Sequence, residues 1–407
     1  MEVGEPVVGD QVEGARGRRF PALDPEPPPR SWRWKGFVTL AVVAVAALVS
    51  VFTLLIVGSG SRSHPPLVTS DVVATGAVVY VSPTGAVVES KPDGSDPSPR
   101  PSLGDLHRYP YASRSPDGRF LIAGSGTVMS IHGTNLAIVR TKLRLGQAFQ
   151  IGFPDAFSDH DQAVVVQQAV TPGSSSSSSP SWTVPLATGV PVSLGRADGV
   201  AGDPQQLGAF VSVAQPGTKE NGSDTNPPPD VEVQLRDVGK PVVTLATAAA
   251  LNADLHESVS TPVSLFPYPS PDGDEVVVAV VAVNNSGTAG LVVLDRTGQP
   301  VDETVANVGA NQGIEPTWSP NGASLTYVDS GDSGLDLNFW TPTGSASSRL
   351  IPFSLQFAGS CLWSPDGEWV LCEAGTGQGE LWTLAQVNGP AFASFPAPGE
   401  LLAWIGK

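Results

Sequence analysis

One phrase recurs along this chain: an apolar strand ending in an aromatic, a Ser-Pro-Asp-Gly turn, and at once a second apolar strand. Its fullest form is Trp363-Ser364-Pro365-Asp366-Gly367-Glu368-Trp369-Val370-Leu371-Cys372. Each residue type suits its place. Proline presets φ and removes one N–H, aspartate bonds the turn backbone, and glycine takes the positive φ that the reversal demands. The words return as Ser115-Pro116-Asp117-Gly118 before Phe120-Leu121-Ile122-Ala123, as Ser270-Pro271-Asp272-Gly273 before the run Val276 to Val283, and as Trp318-Ser319-Pro320-Asn321-Gly322 before Leu325-Thr326-Tyr327-Val328. A chain written this way must fold as a series of hairpins.

Ser270, Ser319 and Ser364 follow one another at intervals of 49 and 45 residues, the length of a four-stranded propeller blade. The third-strand turns at Gly298, Gly344 and Gly389 repeat at 46 and 45 residues. Near-continuous apolar runs such as Val276–Val283 suit strands covered on both faces by neighbouring blades. The expected fold is therefore all-β, a β-propeller of four-stranded antiparallel blades over residues 71–407. The first blade, Ala77–Val81 with Val87–Ser90 and the turn Pro92-Asp93-Gly94, lacks an innermost strand, and Glu400–Ile405 matches the missing one. Residues 400–406 are predicted to pair with residues 76–82, which would remove two sheet edges. Blade two runs from about Tyr109 to Gly146. Blades three and four have decayed turns at Phe157-Ser158-Asp159-His160-Asp161 and Asp203-Pro204, and blades five to seven carry the clear motifs. The count is seven, with six or eight left open by the weak repeats. Low-complexity insertions at Thr171–Ser179, with six serines, and at Gly217–Pro229 fall between the second and third strands of blades three and four.

Residues Phe37 to Val57 form a 21-residue run without charge. As a helix it would span about 31 Å, the thickness of a bilayer's hydrocarbon core. Trp32 and Trp34 stand where an interfacial aromatic belt would be. A cleaved signal peptide is the competing reading, against which stand the length of the apolar run and of the 36-residue leader. Arg16, Arg18, Arg19, Arg30, Arg33 and Lys35 precede the run and only Arg62 closely follows it, so the amino end is expected in the cytoplasm and the remainder outside. Residues 1–36 read as a disordered, Pro-rich cytoplasmic leader, 37–57 as one transmembrane helix, and 58–70 as a flexible linker. The leader's acids and bases cancel, so the formal charge of −17 belongs to the outer part. Such a surface argues against nucleic acid or anionic lipid as partner. Arg in excess of Lys, with abundant Ala, Val and Gly, suggests a GC-rich bacterial source.

Chemistry-bearing constellations are sparse. His64, His107, His132, His160 and His256 have no metal-ligand spacing, and His256-Glu257 is not followed by the second histidine of a zinc protease. There is no Gly-x-Ser-x-Gly elbow and no phosphate loop. Asp329, Asp332 and Asp336 depart from a calcium-loop spacing and read as a solvated acidic turn. No catalytic residue, metal or cofactor is expected. The only cysteines are Cys361 and Cys372. If Asp366-Gly367 were a two-residue hairpin loop, the register would run from Pro365–Glu368 to Cys361–Cys372 and set the thiols face to face; a three-residue loop with a glycine bulge would not. A structural disulfide and a pair of buried free thiols are the two readings.

The Trp-Ser-Pro-Asp-Gly hairpins resemble the repeats of the TolB-type propeller family, found also in the propeller portions of prolyl-oligopeptidase-like peptidases. The resemblance spans roughly residues 71–407 and is weakest at 158 and 203. It implies a protein-binding platform, as in the periplasmic member; the peptidase role depends on a separate hydrolase domain that is not seen here. The expected function is a single-pass membrane protein whose outer propeller is a scaffold for an envelope or membrane protein. The rival is a sensor or enzyme that binds a small ligand or glycan in the central channel.

Overall fold

The computed structural model describes residues 74–100, 111–115, 120–125, 128–133, 138–144, 149–151, 156–168, 178–214, 231–255, 263–282, 288–309, 316–331, 334–341, 347–350, 357–376, 379–389 and 391–406. All fall within the second of the two units into which the chain divides, Pro65–Lys407. The leader, the apolar segment 37–57 and the linker lie outside the described residues, as do most of the two insertions. Among the described residues no helix is long and apolar enough to cross a membrane.

The described chain is all-β, in seven antiparallel sheets. Sheet one is Glu400–Ile405, Ala77–Val81, Val87–Ser90 and Ser98–Pro99; sheet two is Tyr111–Arg114, Phe120–Ser125, Val128–Gly133 and Ile138–Arg144. Sheet three orders Ala163–Gln168, Ser179–Pro185 and Val192–Ala197 behind an innermost strand in two pieces, Phe149–Ile151 and Phe157–Ser158. Sheet four is Gly199–Gly202, Gly208–Ala214, Val231–Asp237 and Val243–Thr247. Sheet five is Val263–Pro269, Glu275–Ala282, Thr288–Asp295 and Pro300–Gly309; sheet six is Thr317–Trp318, Leu325–Gly331, Gly334–Trp340 and Ser347–Leu350. Sheet seven is Phe357–Trp363, Trp369–Thr376, Gly379–Gln386 and Phe392–Pro396.

Sheet one joins the two ends of the described chain. Ala77 lies opposite Ile405, Val78 opposite Trp404 and Val79 opposite Ala403, with a bulge before Tyr80 meets Leu401. Gly76, at φ +92, lets Trp404 approach: a Cβ there would sit 2.5 Å from the Ile405 carbonyl oxygen.

The core is divided among the seams between sheets. Seven buried clusters are present among the described residues; six draw on two consecutive sheets and one on sheets one and seven. The period-2 alternation of strands produces this division. In the second strand of sheet five, Val276, Val278 and Val280 pack toward sheet four with Phe210 and Leu235, while Val277 and Ala279 pack toward sheet six with Trp318 and Tyr327. Both faces are buried, which is why the run carries no polar alternation. Tyr80 and Trp404 of sheet one share a cluster with Trp369 and Trp382 of sheet seven, and Ala77 and Val79 share one with Leu121 of sheet two. Each such valine buried contributes about 1.5–3 kcal/mol.

Two elements have no repeat signature. A short helix, Ala248–Asp254, follows sheet four, capped by Thr247 Oγ1 accepting from Ala250 N, and buries Leu251 in the seam with sheet five. The inner strand of sheet three is interrupted because Phe157-Ser158 and Phe149–Ile151 pair with separate parts of Ala163–Gln168. Ser179, read from sequence as part of a serine-rich insertion, begins a strand instead: it lies opposite Ala197, and Ser181 beyond it donates to Gly195 O.

Candidate functional site

The repeated turn builds one end of every sheet it occurs in. In sheets five, six and seven the serine N–H donates to the carbonyl five residues on: Ser270 to Glu275 O, Ser319 to Ser324 O and Ser364 to Trp369 O, at 2.9, 2.7 and 2.8 Å. Each serine hydroxyl donates to the side chain two residues on, Asp272, Asn321 or Asp366, and accepts the returning strand's N–H. Gly273, Gly322 and Gly367 sit at φ +74, +69 and +73 and donate to the serine carbonyl. The turn is thus centred on Pro-Asp rather than Asp-Gly, with the glycine as a left-handed fourth residue. A further residue, Glu368 in the last copy, keeps Trp363 opposite Val370 and Cys361 opposite Cys372. The two cysteines are buried in the seam between sheets six and seven and joined in a disulfide, which staples the first two strands of sheet seven.

These turns also link neighbouring sheets. Trp318 Nε1 donates to Tyr268 O in sheet five, and Trp363 Nε1 to Thr317 O in sheet six, both at 2.9 Å. Thr75 Oγ1 donates to Asp366 Oδ2 at 2.6 Å, tying sheet seven's turn to the start of sheet one. Burial works against the Asp366 charge, but the hydrogen bonds from Ser364 and Thr75 outweigh it and hold the carboxyl below its usual value. In sheet three, Asp159, His160 and Asp161 all take positive φ, and the Asp159 and His160 N–H groups donate to the Asp203 and Pro204 carbonyls of sheet four.

The decayed turn of sheet four carries the densest charge cluster described. Asp203 occupies the serine position, since its N–H donates to Gly208 O, again five residues on, and its Oδ1 accepts from Gln205 N at 2.9 Å. It is fully buried and grips Arg296, which enters from the third-to-fourth-strand turn of sheet five: Nη1 donates to Oδ1 at 2.8 Å and Nη2 to Oδ2. Arg296 also donates to Gly273 O at 3.0 Å and lies 5.8 Å from the Phe210 ring centroid. Partial burial opposes its charge, but Asp203, with Asp237 and Asp274 behind, raises its affinity for the proton. Asp237 stands beside this pair, its Oδ2 3.2 Å from Lys240 Nζ and 3.9 Å from Arg296 Nη2. Gln205 Nε2 reaches across to Asp272 O and Asp274 Oδ1 at 2.8 and 2.6 Å. Asp203-Pro204 was legible as a worn repeat; that the substituted aspartate faces Arg296 of the next sheet was not.

Other candidate residues are dispersed. His132 is buried and bonded to Ser130 Oγ at 2.7 Å, His160 is exposed, and His64, His107 and His256 lie outside the described residues. Asp329 and Asp336 oppose each other across a hairpin of sheet six, and Asp332 lies outside the described residues. Among the described residues no group of three metal-ligating side chains is gathered. Exposed large apolar side chains are concentrated instead: Val238, Val242 and Val243 lead into and begin the outer strand of sheet four, Val301 stands in that of sheet five, and Val190 stands in sheet three's last turn. The sheet-five turn packs on the sheet-four outer strand, where a Cβ on Gly298 would meet Leu245 O at 2.2 Å. Phe266 is exposed on an innermost strand.

Four-stranded antiparallel sheets that pack serially through both faces define the β-propeller class. No protein-family model matches the chain. A stretch of 121 residues, 28% of the chain, is 30% identical to a Bacillus subtilis protein named "Uncharacterized peptidase YuxL", of which it covers 18%. TolB from Acinetobacter baumannii resembles the structure with a TM-score of 0.42 at 16% identity, over 82% of this chain and 67% of that one. A prolyl endopeptidase structure gives a TM-score of 0.49 at 13% identity, over 71% of this chain and 42% of that one. The fold assignment rests on this chain's own strand pairing and seams.

Proposed function

We propose that the seven sheets close into a ring through the Glu400–Ile405 strand, and that this propeller is a rigid protein-binding platform held at a cell membrane by residues 37–57. The observation that carries the platform reading is the apolar exposure on the outer strands of sheets four and five. Val242 and Val243 are 56% and 44% exposed, at the start of an edge strand that carries no charge between Pro241 and Thr247, whereas Val301 is followed by Asp302 and Glu303. Such edges attract partners unless blunted. A stiff frame presenting an apolar rim binds through shape with little rearrangement. Net charge of −17 makes the rest of the surface repel acidic polymers.

Cross-linking and recovery of the full chain from its native membrane tests this, beside a variant carrying Val242→Glu, Val243→Glu and Val301→Glu. One stoichiometric protein partner, lost in the triple variant, supports the platform reading. A partner retained by the variant removes the valine rim from it, and no partner at all overturns it. A second reading, a ligand-binding or hydrolase-associated propeller, draws on Phe266 exposed on an innermost strand and on the peptidase-like stretch of 121 residues. Thermal stabilisation by sugars or peptides, abolished in Phe266→Ser, would favour it.

A further inference from the structure

The cluster at the seam between sheets four and five holds more negative charge than it can neutralise. Asp203 is fully buried and takes both terminal nitrogens of Arg296. Asp237, with its side chain 8% exposed, is left with Arg296 at 3.9 Å and with Lys240, whose side chain is 53% exposed. A lysine so open to water is a screened counter-charge. Asp274, the remaining charged group facing Arg296 from sheet five, is a further carboxylate. Asp237 Oδ1 is buried without a hydrogen-bond partner if the carboxyl is ionised. The absence of a side chain at Gly208 makes room for it, since a Cβ there would lie 2.4 Å from that oxygen. Two buried carboxyls that approach the same Arg296 nitrogen cannot both stay charged cheaply, and a proton on Asp237 removes one of the two charges.

We propose that Asp237 holds a proton in the folded protein, making the seam between sheets four and five a pH-responsive joint that loosens as pH rises. Burial first, then the hydrogen bond and charge of Asp203, raise the Asp237 carboxyl above its usual value, against the opposing pull of Lys240. A group whose folded value is raised contributes stability that is fully present below its unfolded value and lost as pH rises through the folded one. The other described aspartates whose carboxyls depart from their ordinary value, Asp93, Asp295 and Asp366, are lowered, so this joint opposes their trend.

Aspartate carboxyls labelled with carbon-13 and followed by NMR across pH test the proposal, since glutamates stay silent. One aspartate signal is expected to titrate above the ordinary carboxylate range and to vanish in Asp237→Asn, whose melting temperature should also lose the wild-type decline over that window. Should Asp237→Asn fail to fold, Lys240→Met removes an exposed counter-charge together with its hydrogen bond to Gln206 and should shift the same signal to higher pH. A spectrum in which every aspartate titrates in or below the ordinary range overturns the proposal, as does a signal that moves to lower pH in Lys240→Met.

Discussion

Trp363 is the side chain on which the seam between sheets six and seven depends most, and its truncation is the sharpest test of how the sheets hold together. It is 2% exposed, stands edge-on to Phe339 of sheet six with ring centroids 6.0 Å apart at 80°, and donates to Thr317 O at 2.9 Å. Trp363→Ala removes the ring and opens a cavity, a loss of about 3–5 kcal/mol. Trp363→Phe keeps most of the packing but removes the hydrogen bond to the Thr317 carbonyl and part of the ring, a loss of roughly 1–2 kcal/mol. A domain of about 340 residues unfolds with an entropy near 0.7 kcal/mol/K, so the alanine variant should melt about 6 °C lower and the phenylalanine variant about 2 °C lower. Scanning calorimetry reads both. In a double-mutant cycle with Phe339→Leu, the edge-to-face pair should show a coupling of about 0.5–1.5 kcal/mol. Equal melting shifts for the two Trp363 variants, together with zero coupling, would refute the seam as the unit of cohesion.

Other outcomes follow from single contacts. Reducing Cys361–Cys372, or replacing both with alanine, releases a loop closed over a sequence separation of 11 and should cost about 2–3 kcal/mol; a thiol assay on the unreduced, denatured chain should find none free. Gly298→Ala should destabilise more than Gly367→Ala, because both glycines have positive φ but only the first would drive a Cβ into a carbonyl oxygen, at 2.2 Å; the second should cost only about 1–2 kcal/mol, and urea denaturation compares them. The Asp366 carboxyl is held below its usual value, so its contribution is present above the unfolded value and lost as pH falls through the folded one. Thr75→Val should therefore lower stability at neutral pH and flatten the acid limb of a melting-temperature profile.

Much of this arrangement was legible in residues. Serine, proline and glycine at fixed offsets marked each turn because a reversal imposes φ and hydrogen-bond demands that few residue types meet. The uninterrupted apolar run at 276–280 marked a strand buried on both sides. The helix Ala248–Asp254 escaped notice because it is only about two turns of Ala-rich sequence, too short to show a helical period. The split inner strand of sheet three escaped for the same reason, as two- and three-residue pairings carry no alternation. Arg296 and Asp237 belong to no motif in the sequence; the packing of sheet five's turn onto sheet four brings Arg296 to Asp203 across 93 residues of sequence.

Ring closure depends on the sheet that joins residues 77–81 to residues 400–405. Hydrogen exchange on Ala77–Val81 in the full chain, compared with a chain ending at Pro398, measures it directly. Closure predicts strong protection of Val79, which faces Ala403, in the full chain, its collapse in the shortened one with a lower melting temperature, and partial recovery on adding the peptide Glu400–Lys407. Protection unchanged by the truncation would contradict it, and with it the rigid platform proposed above.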